Sequence, residues 1–235
     1  MMNVIVPLAG PDFVHPRFGV RPLFPLDGRT LIETALEGRP WMQSGEVAGA
    51  DMIFVLRELP EAAQVSELLE ARYPGCRFVR LGDLTGGALF SALAGAALIS
   101  DARPVCIDLV DILFAWPSWR AADLWPAHGA AAPSFTSDDP AYSYFEIDHG
   151  LVRRAREKQV ISRHASAGVY MFRDLAVFLD AAAHSVRNRE ALAHKGALFV
   201  CPAMNGVIAA GLSVVAPQVE DVRPIGKLFH ESASK

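Results

Sequence analysis

Apolar positions along this chain fall into two patterns that alternate. Short, mostly apolar runs recur at 3–8, 51–56, 78–81, 104–107 and 168–172. Such runs predict strands buried on both faces, as in a largely parallel sheet under helices. Between them lie stretches with helical spacing. Residues 61–73 align Ala62, Val65, Leu68 and Leu69 on one face, and Gly86-Gly87 opens a small-residue helix over 88–99. Thr30, with Glu33 three residues on, predicts a capping box for a helix whose apolar face is Leu31, Ile32, Ala35 and Leu36. Further helices are predicted at 174–183 and at 202–210, the second closed by Gly211. Residues 141–148 and 151–152 about His149-Gly150 predict a hairpin, and 212–216 a late strand. Only 117–140, rich in Ala, Pro and Trp, lacks a clean period. It predicts an irregular connection with one short helix. The alternation as a whole predicts α/β architecture, one domain over 1–230 and a flexible tail at 231–235.

Composition narrows the picture. Of 235 residues, 51% are hydrophobic, ample for a sizeable core. The formal net charge is -4, so no basic field marks the protein as a partner of nucleic acid. No run approaches the roughly 20 apolar residues of a membrane span, and the first apolar segment is too short for a signal-peptide core. These features predict a cytoplasmic protein with no membrane partner. Cys106 and Cys201 lie in apolar runs and read as buried hydrophobes; with Cys76 they make an odd number without metal spacing.

Candidate chemistry clusters where strands end, the place at which open α/β sheets bind ligands. Leu8, Ala9 and Gly10 leave the first strand, and backbone N–H groups there suit phosphate. Arg17 and Arg21 follow on the same loop. Gly86 and Gly87 precede a helix N-terminus, and Asp108 and Asp111 end the fourth strand. Glu157-Lys158 stands before an apolar strand with Gly168 at its start. A lysine there neutralises phosphate, and a glutamate accepts hydrogen bonds from sugar hydroxyls.

These landmarks, in this order, resemble the sugar-phosphate nucleotidyltransferases that make nucleotide-activated sugars. The resemblance runs from Asn3 to Phe229 and is nearest to short members from capsule, choline-phosphate and surface-sugar pathways. Leu8-Ala9-Gly10, Arg17 and Arg21-Pro22-Leu23 resemble the phosphate loop of that family. Ser143-Tyr144, Glu157-Lys158, Cys201-Pro202-Ala203-Met204-Asn205 and Arg223-Pro224-Ile225-Gly226 resemble its later segments. The resemblance implies a Rossmann-like mixed sheet of the nucleotide-diphospho-sugar transferase (GT-A-like) type, with helices on both faces. It implies nucleotide binding by Leu8, Ala9, Gly10, Gly86 and Gly87, and a triphosphate gripped by Arg17 and Arg21. Mg²⁺ would sit on Asp111, with Asp108 in reserve. The phosphorylated acceptor would meet Glu157, Lys158, Gly168 and Asn205.

The chain departs from that pattern where Pro11-Asp12 replaces a second glycine, where Gly206 replaces a glutamate, and where Pro224 replaces a second metal-binding aspartate. Asp221 is the nearest carboxylate to that last position. Three readings therefore stand. The first is a Mg²⁺-dependent nucleotidyltransferase joining a nucleoside triphosphate to a sugar phosphate or similar acceptor. The second is a non-catalytic nucleotide- or sugar-binding relative. The third is a nucleotide-sugar glycosyltransferase using Asp108 and Asp111 as a metal pair. Base, acceptor and oligomeric state, a homo-oligomer included, stay open.

Overall fold

The computed structural model describes residues 1–229; the tail expected at 231–235 lies outside the described residues. An eleven-stranded mixed sheet forms the centre. Its core is Asn3–Pro7, flanked in parallel by Met52–Arg57 and Val105–Asp108, with Arg77–Leu81 parallel at one edge. Beyond Val105–Asp108 the sheet turns antiparallel at Val169–Phe172. It continues through Ala130–Ala131, Val214–Val215, Leu151–Arg156, Tyr144–Asp148 and His164–Ser166 to Ser134–Thr136.

Side-chain alternation divides the apolar runs between two cores. Val4, Val6, Met52, Phe54 and Leu56 face one side, with the helices Leu31–Glu37 and Ala62–Arg72 over them. Ile5, Ile53, Val55, Val105 and Ile107 face the other, under Ala88–Ala96, Leu175–Arg187 and Met204–Ala209. Helices thus cover both faces. The Thr30–Glu33 capping box is present, and Cys106 and Cys201 are buried. No helix among the described residues is long and apolar enough to cross a membrane.

Some expectations need correction. The stretch expected to be irregular at 117–140 holds the helix Ala121–Leu124 but also contributes Ala130–Ala131 and Ser134–Thr136 to the sheet. Its strands are too short to carry a period and take their form from pairing partners. The helix expected at 174–183 runs to Arg187, with Asp174 outside it as N-cap: its carboxylate accepts the Val177 N–H. The second arm of the hairpin extends to Arg156, which carries the chain up to Glu157. A ribbon of Ile112–Ala115 with Glu220–Pro224 joins the middle of the chain to its C-terminal part, and no local pattern announces it.

One buried ion pair organises the end of the central strands. Arg39 lies just before the short helix Pro40–Gln43. Its Nε and Nη2 donate to the two carboxylate oxygens of Asp108 at 2.7 and 2.8 Å. Neither side chain is more than 1% exposed, and the guanidinium lies 4.2 Å from the Phe114 ring centroid. Asp108 Oδ1 also accepts the Val110 N–H at 2.9 Å. Val110 has φ +51, a strained conformation for a β-branched residue that persists only when its surroundings impose it.

Removing one partner leaves the other charge buried and uncompensated. Asp108→Ala is expected to cost about 3–5 kcal/mol, read as a lowered urea midpoint. The double variant Arg39→Met/Asp108→Leu recovers part of that loss, because no charge is then stranded. A cost for Asp108→Ala under about 1 kcal/mol would mean that water reaches the pair.

Candidate functional site

The carboxyl ends of Asn3–Pro7 and Val105–Asp108 open into a cleft of about 570 Å³. Its walls bring together segments far apart in sequence, including Leu8, Ala9, Gly10, Arg21, Gly87, Asp111, Glu157, Lys158 and Gly168. Four residues of the sequence reading stand off these walls. Arg17 is exposed, with its guanidinium 5.1 Å from the Phe18 ring centroid. Asp108 is enclosed by Arg39 and accepts from it with both oxygens. Gly86 is the outer residue of the turn, its carbonyl accepting the Leu198 N–H at 2.8 Å. Asn205 bridges backbone: its amide donates to the Ala155 and Pro202 carbonyls, and its carbonyl accepts the Ala155 N–H. It steadies the strand that leads to Glu157 rather than reaching the cleft.

Asp111 occupies the cleft floor. Its Oδ1 is sealed from solvent and has no hydrogen-bond partner among the described residues. Burial pushes its carboxyl above the ordinary range, opposed by the guanidinium of Arg21. Two glycines make room for it. Gly168 has φ +77, and a Cβ there would stand 2.7 Å from Asp111 Oδ1. A Cβ on Gly226 would stand 2.9 Å from Asp111 Cβ, and the Gly226 N–H donates to the Asp111 carbonyl at 2.8 Å. A buried, unpartnered carboxylate oxygen beside open space suits a hard cation completed by phosphate oxygens. No cluster of three His, Cys, Asp or Glu side chains exists among the described residues, so any such ion would have Asp111 as its principal protein ligand.

Arg21 faces Asp111 from the first loop, but it is not idle. It pairs with Asp12, and its guanidinium lies 5.4 Å from the Phe229 ring centroid. The Asp12 carboxylate lies over Gly10, with Oδ1 2.6 Å from where a Cβ would be. An internal anion therefore stands in the loop where backbone and arginine could receive phosphate.

Glu157 and Lys158 follow the strand Leu151–Arg156 and enter the opposite wall. Lys158 holds φ +48, a left-handed conformation uncommon outside glycine and asparagine. That turn directs the chain so that both side chains face the cleft, the lysine Nζ 5.6 Å from the Phe199 ring centroid. Ser143 Oγ donates to Glu157 Oε2. Burial raises the Glu157 carboxyl to about 7, against the lowering effects of Ser143 and Lys158.

Gly87 shapes the remaining wall. It has φ +124, and a Cβ there would fall 2.2 Å from the Leu198 carbonyl oxygen. Thr85 and Ser91 line this wall, with their hydroxyls 3.0 Å apart.

Sequence reasoning missed Lys227, Phe199 and Tyr142, all on the wall. None belongs to a motif, and the lysine follows a segment whose resemblance had already broken off. Asp221, the carboxylate nearest to Pro224, is exposed, while Pro224 itself lines the cleft.

No protein-family model matches the sequence, and no curated protein matches it. Solved structures do resemble the fold. A nucleoside-diphosphate-sugar pyrophosphorylase from Vibrio cholerae RC9 superposes with TM-score 0.81 at 17% identity, over 97% of this chain and 100% of that one. A putative glucose-1-phosphate thymidylyltransferase from Bacillus anthracis, solved with sucrose, gives 0.74 at 17% identity, over 96% of this chain and 90% of that one. The inositol-1-phosphate CTP transferase from T. maritima gives 0.72 at 12% identity, over 98% and 97%. At such identities the likeness establishes the α/β fold.

The raised Glu157 pKa has a stability consequence. The folded state keeps the proton to higher pH than the unfolded chain does. Its contribution is thus full below the ordinary glutamate pKa and is lost as pH rises to about 7. The Tm of the native protein should therefore fall relative to Glu157→Gln between about pH 4.5 and about pH 7.5, then run parallel to it. Parallel curves throughout would show that Glu157 titrates normally.

Proposed function

We propose that this chain is a nucleotidyltransferase that transfers a nucleoside monophosphate from a triphosphate to a phosphorylated small molecule. The observation that carries this reading is the convergence of Arg21, Asp111, Glu157 and Lys158 on one cleft, with Gly10 and Gly87 as close backbone approaches. The functions printed for the structural neighbours, two sugar-nucleotide enzymes and a CTP transferase, support it.

An acceptor phosphate oxygen attacks the α-phosphorus in this scheme. The new P–O bond forms as the bond to the bridging α–β oxygen breaks, and pyrophosphate leaves with that electron pair. Catalysis is positioning and charge neutralisation, with no covalent intermediate on the protein. Arg21 exchanges Asp12 for the triphosphate, and Lys158 holds the acceptor phosphate. Asp111 would hold Mg²⁺ together with phosphate oxygens, where the ion supplies Lewis-acid stabilisation. Glu157 accepts from acceptor hydroxyls once ionised.

Two of the cleft's aromatic rings favour a sugar or polyol phosphate over choline phosphate as acceptor. A quaternary ammonium would seek an aromatic face. The Tyr142 and Phe199 rings already carry the ammonium groups of Lys227 and Lys158 at 4.8 and 5.6 Å.

A second reading is a nucleotide-binding relative without turnover, favoured by Asp12 on Arg21. The glycosyltransferase reading loses its metal pair, because Arg39 takes both oxygens of Asp108.

Pyrophosphate release with Mg²⁺, measured for CTP, UTP, dTTP, GTP and ATP against sugar phosphates and choline phosphate, separates the two surviving readings. Release with one pairing supports transfer; nucleotide binding without release supports the second reading. In an active pairing, Lys158→Ala is expected to lower kcat/KM by about 100-fold or more while leaving Tm unchanged. Unaltered turnover in that variant removes Lys158 from the scheme. Asp12→Asn is expected to tighten nucleotide binding by about 3- to 10-fold, since a competing internal anion is gone. Weaker binding would mean that Asp12 orients Arg21 for the ligand.

A further inference from the structure

Three cationic side chains line the cleft among the described residues, and the scheme above uses two of them, Arg21 and Lys158. The third is Lys227. Its backbone position is fixed by its neighbour: Gly226 donates its N–H to the Asp111 carbonyl at 2.8 Å and packs against the Asp111 side chain. Its side chain is fixed from the opposite wall. The ammonium lies 4.8 Å from the Tyr142 ring centroid and pairs with Asp139, on the loop that also supplies Ser143 to Glu157. Lys227 thus bridges the segment bearing Asp111 and the segment supporting the Glu157–Lys158 pair.

Charge balance gives the position a role. Pro224 adds no charge to this wall, and Asp12 is tied to Arg21. A phosphate seated beside Asp111 brings one anion next to another and needs a cation within reach. The Lys227 side chain is 33% exposed and its partner Asp139 37%, so water screens their pair and a multiply charged phosphate can displace the carboxylate.

We propose, on the basis of the nucleotidyl-transfer reading, that Lys227 is a phosphate-contacting residue. Its ammonium, seated on the Tyr142 ring, gives up Asp139 for a phosphoryl oxygen beside Asp111. The phosphoryl group belongs either to the nucleotide or to the acceptor, and the test distinguishes the two.

Wild type, Lys227→Ala, Lys227→Arg and Asp139→Ala are titrated calorimetrically in Mg²⁺ with inorganic pyrophosphate, the five nucleoside triphosphates and glucose 1-phosphate. Acceptor KM is measured for any pairing that turns over. Lys227→Ala is expected to weaken at least one phosphate ligand by about 10-fold or more, with Lys227→Arg restoring most of the affinity. Weakened pyrophosphate and nucleotide binding assigns the contact to the nucleotide. Weakening confined to glucose 1-phosphate, or to the acceptor KM, assigns it to the acceptor. Asp139→Ala removes the ion pair but leaves the ammonium, and is expected to leave affinity unchanged or improved. Unchanged binding and KM in Lys227→Ala overturns the proposal, as does equal weakening in Asp139→Ala, which would make the pair purely structural. A wild type that binds pyrophosphate but no nucleotide defeats the transfer reading while the pyrophosphate arm still decides Lys227. A wild type that binds no phosphate ligand overturns both.

Discussion

The Arg39–Asp108 pair is the interaction on which the cleft depends. Asp108 ends a central strand inside the core, where an unpaired carboxylate would be strongly disfavoured. Arg39 neutralises it, and the same carboxylate then accepts the Val110 N–H, fixing a residue at φ +51. Past this residue Asp111 lines the cleft, while Asp108 remains in the core. Gly168 and Gly226 complete the arrangement, since a side chain at either would collide with Asp111. A buried ion pair is seldom a strong source of net stability. Here it determines which of two nearby carboxylates is available for chemistry.

The cleft is also balanced in charge before any ligand arrives. Arg21 pairs with Asp12, and Lys227 with Asp139. Glu157 lies beside Lys158, with its carboxyl raised to about 7 by burial. Desolvated cations without partners would be costly, so the protein supplies local anions for them. A phosphorylated ligand of the proposed kind would have to replace these anions. The affinity of such a cleft is a difference between two sets of ion pairs, which favours ligands carrying several negative charges over those carrying one.

Much of this was legible in the sequence, for identifiable reasons. The strand from Met52 to Arg57 is buried on both faces and leaves an unbroken apolar run that few alternatives can produce. Thr30 and Glu33 fix a helix start through chemistry confined to four residues. Glu157 and Lys158 stand out because an acid and a base adjoin an apolar strand. Other features were set by distant partners. Asp108 and Asp111 are alike in residue type at a strand end; the resemblance ranks Asp111 first, and the physical reason is Arg39, 69 residues away from Asp108. Arg17 and Arg21 look equivalent on one loop, yet Arg17 turns outward over Phe18 while Arg21 meets Phe229. The ribbon of Ile112–Ala115 with Glu220–Pro224 has no local signature, and it carries Gly226 and Lys227 to the cleft.

The first loop, where the resemblance weakens at Pro11-Asp12, is held by contacts of its own. His15 Nδ1 accepts the N–H groups of Arg17 and Phe18, each at 3.2 Å, closing the loop on itself. The rings of His15, Phe18, Phe24 and Phe229 pack with centroids between 4.9 and 5.8 Å, which clasps the loop to the C-terminal turn Ile225–Phe229. This packing links Arg21 on the loop to Gly226 and Lys227 on the turn, so both cations are positioned by one packed unit. Pro11 contributes no backbone donor to this loop, so the fixed charges at this end of the cleft are side-chain cations seated by one packed unit.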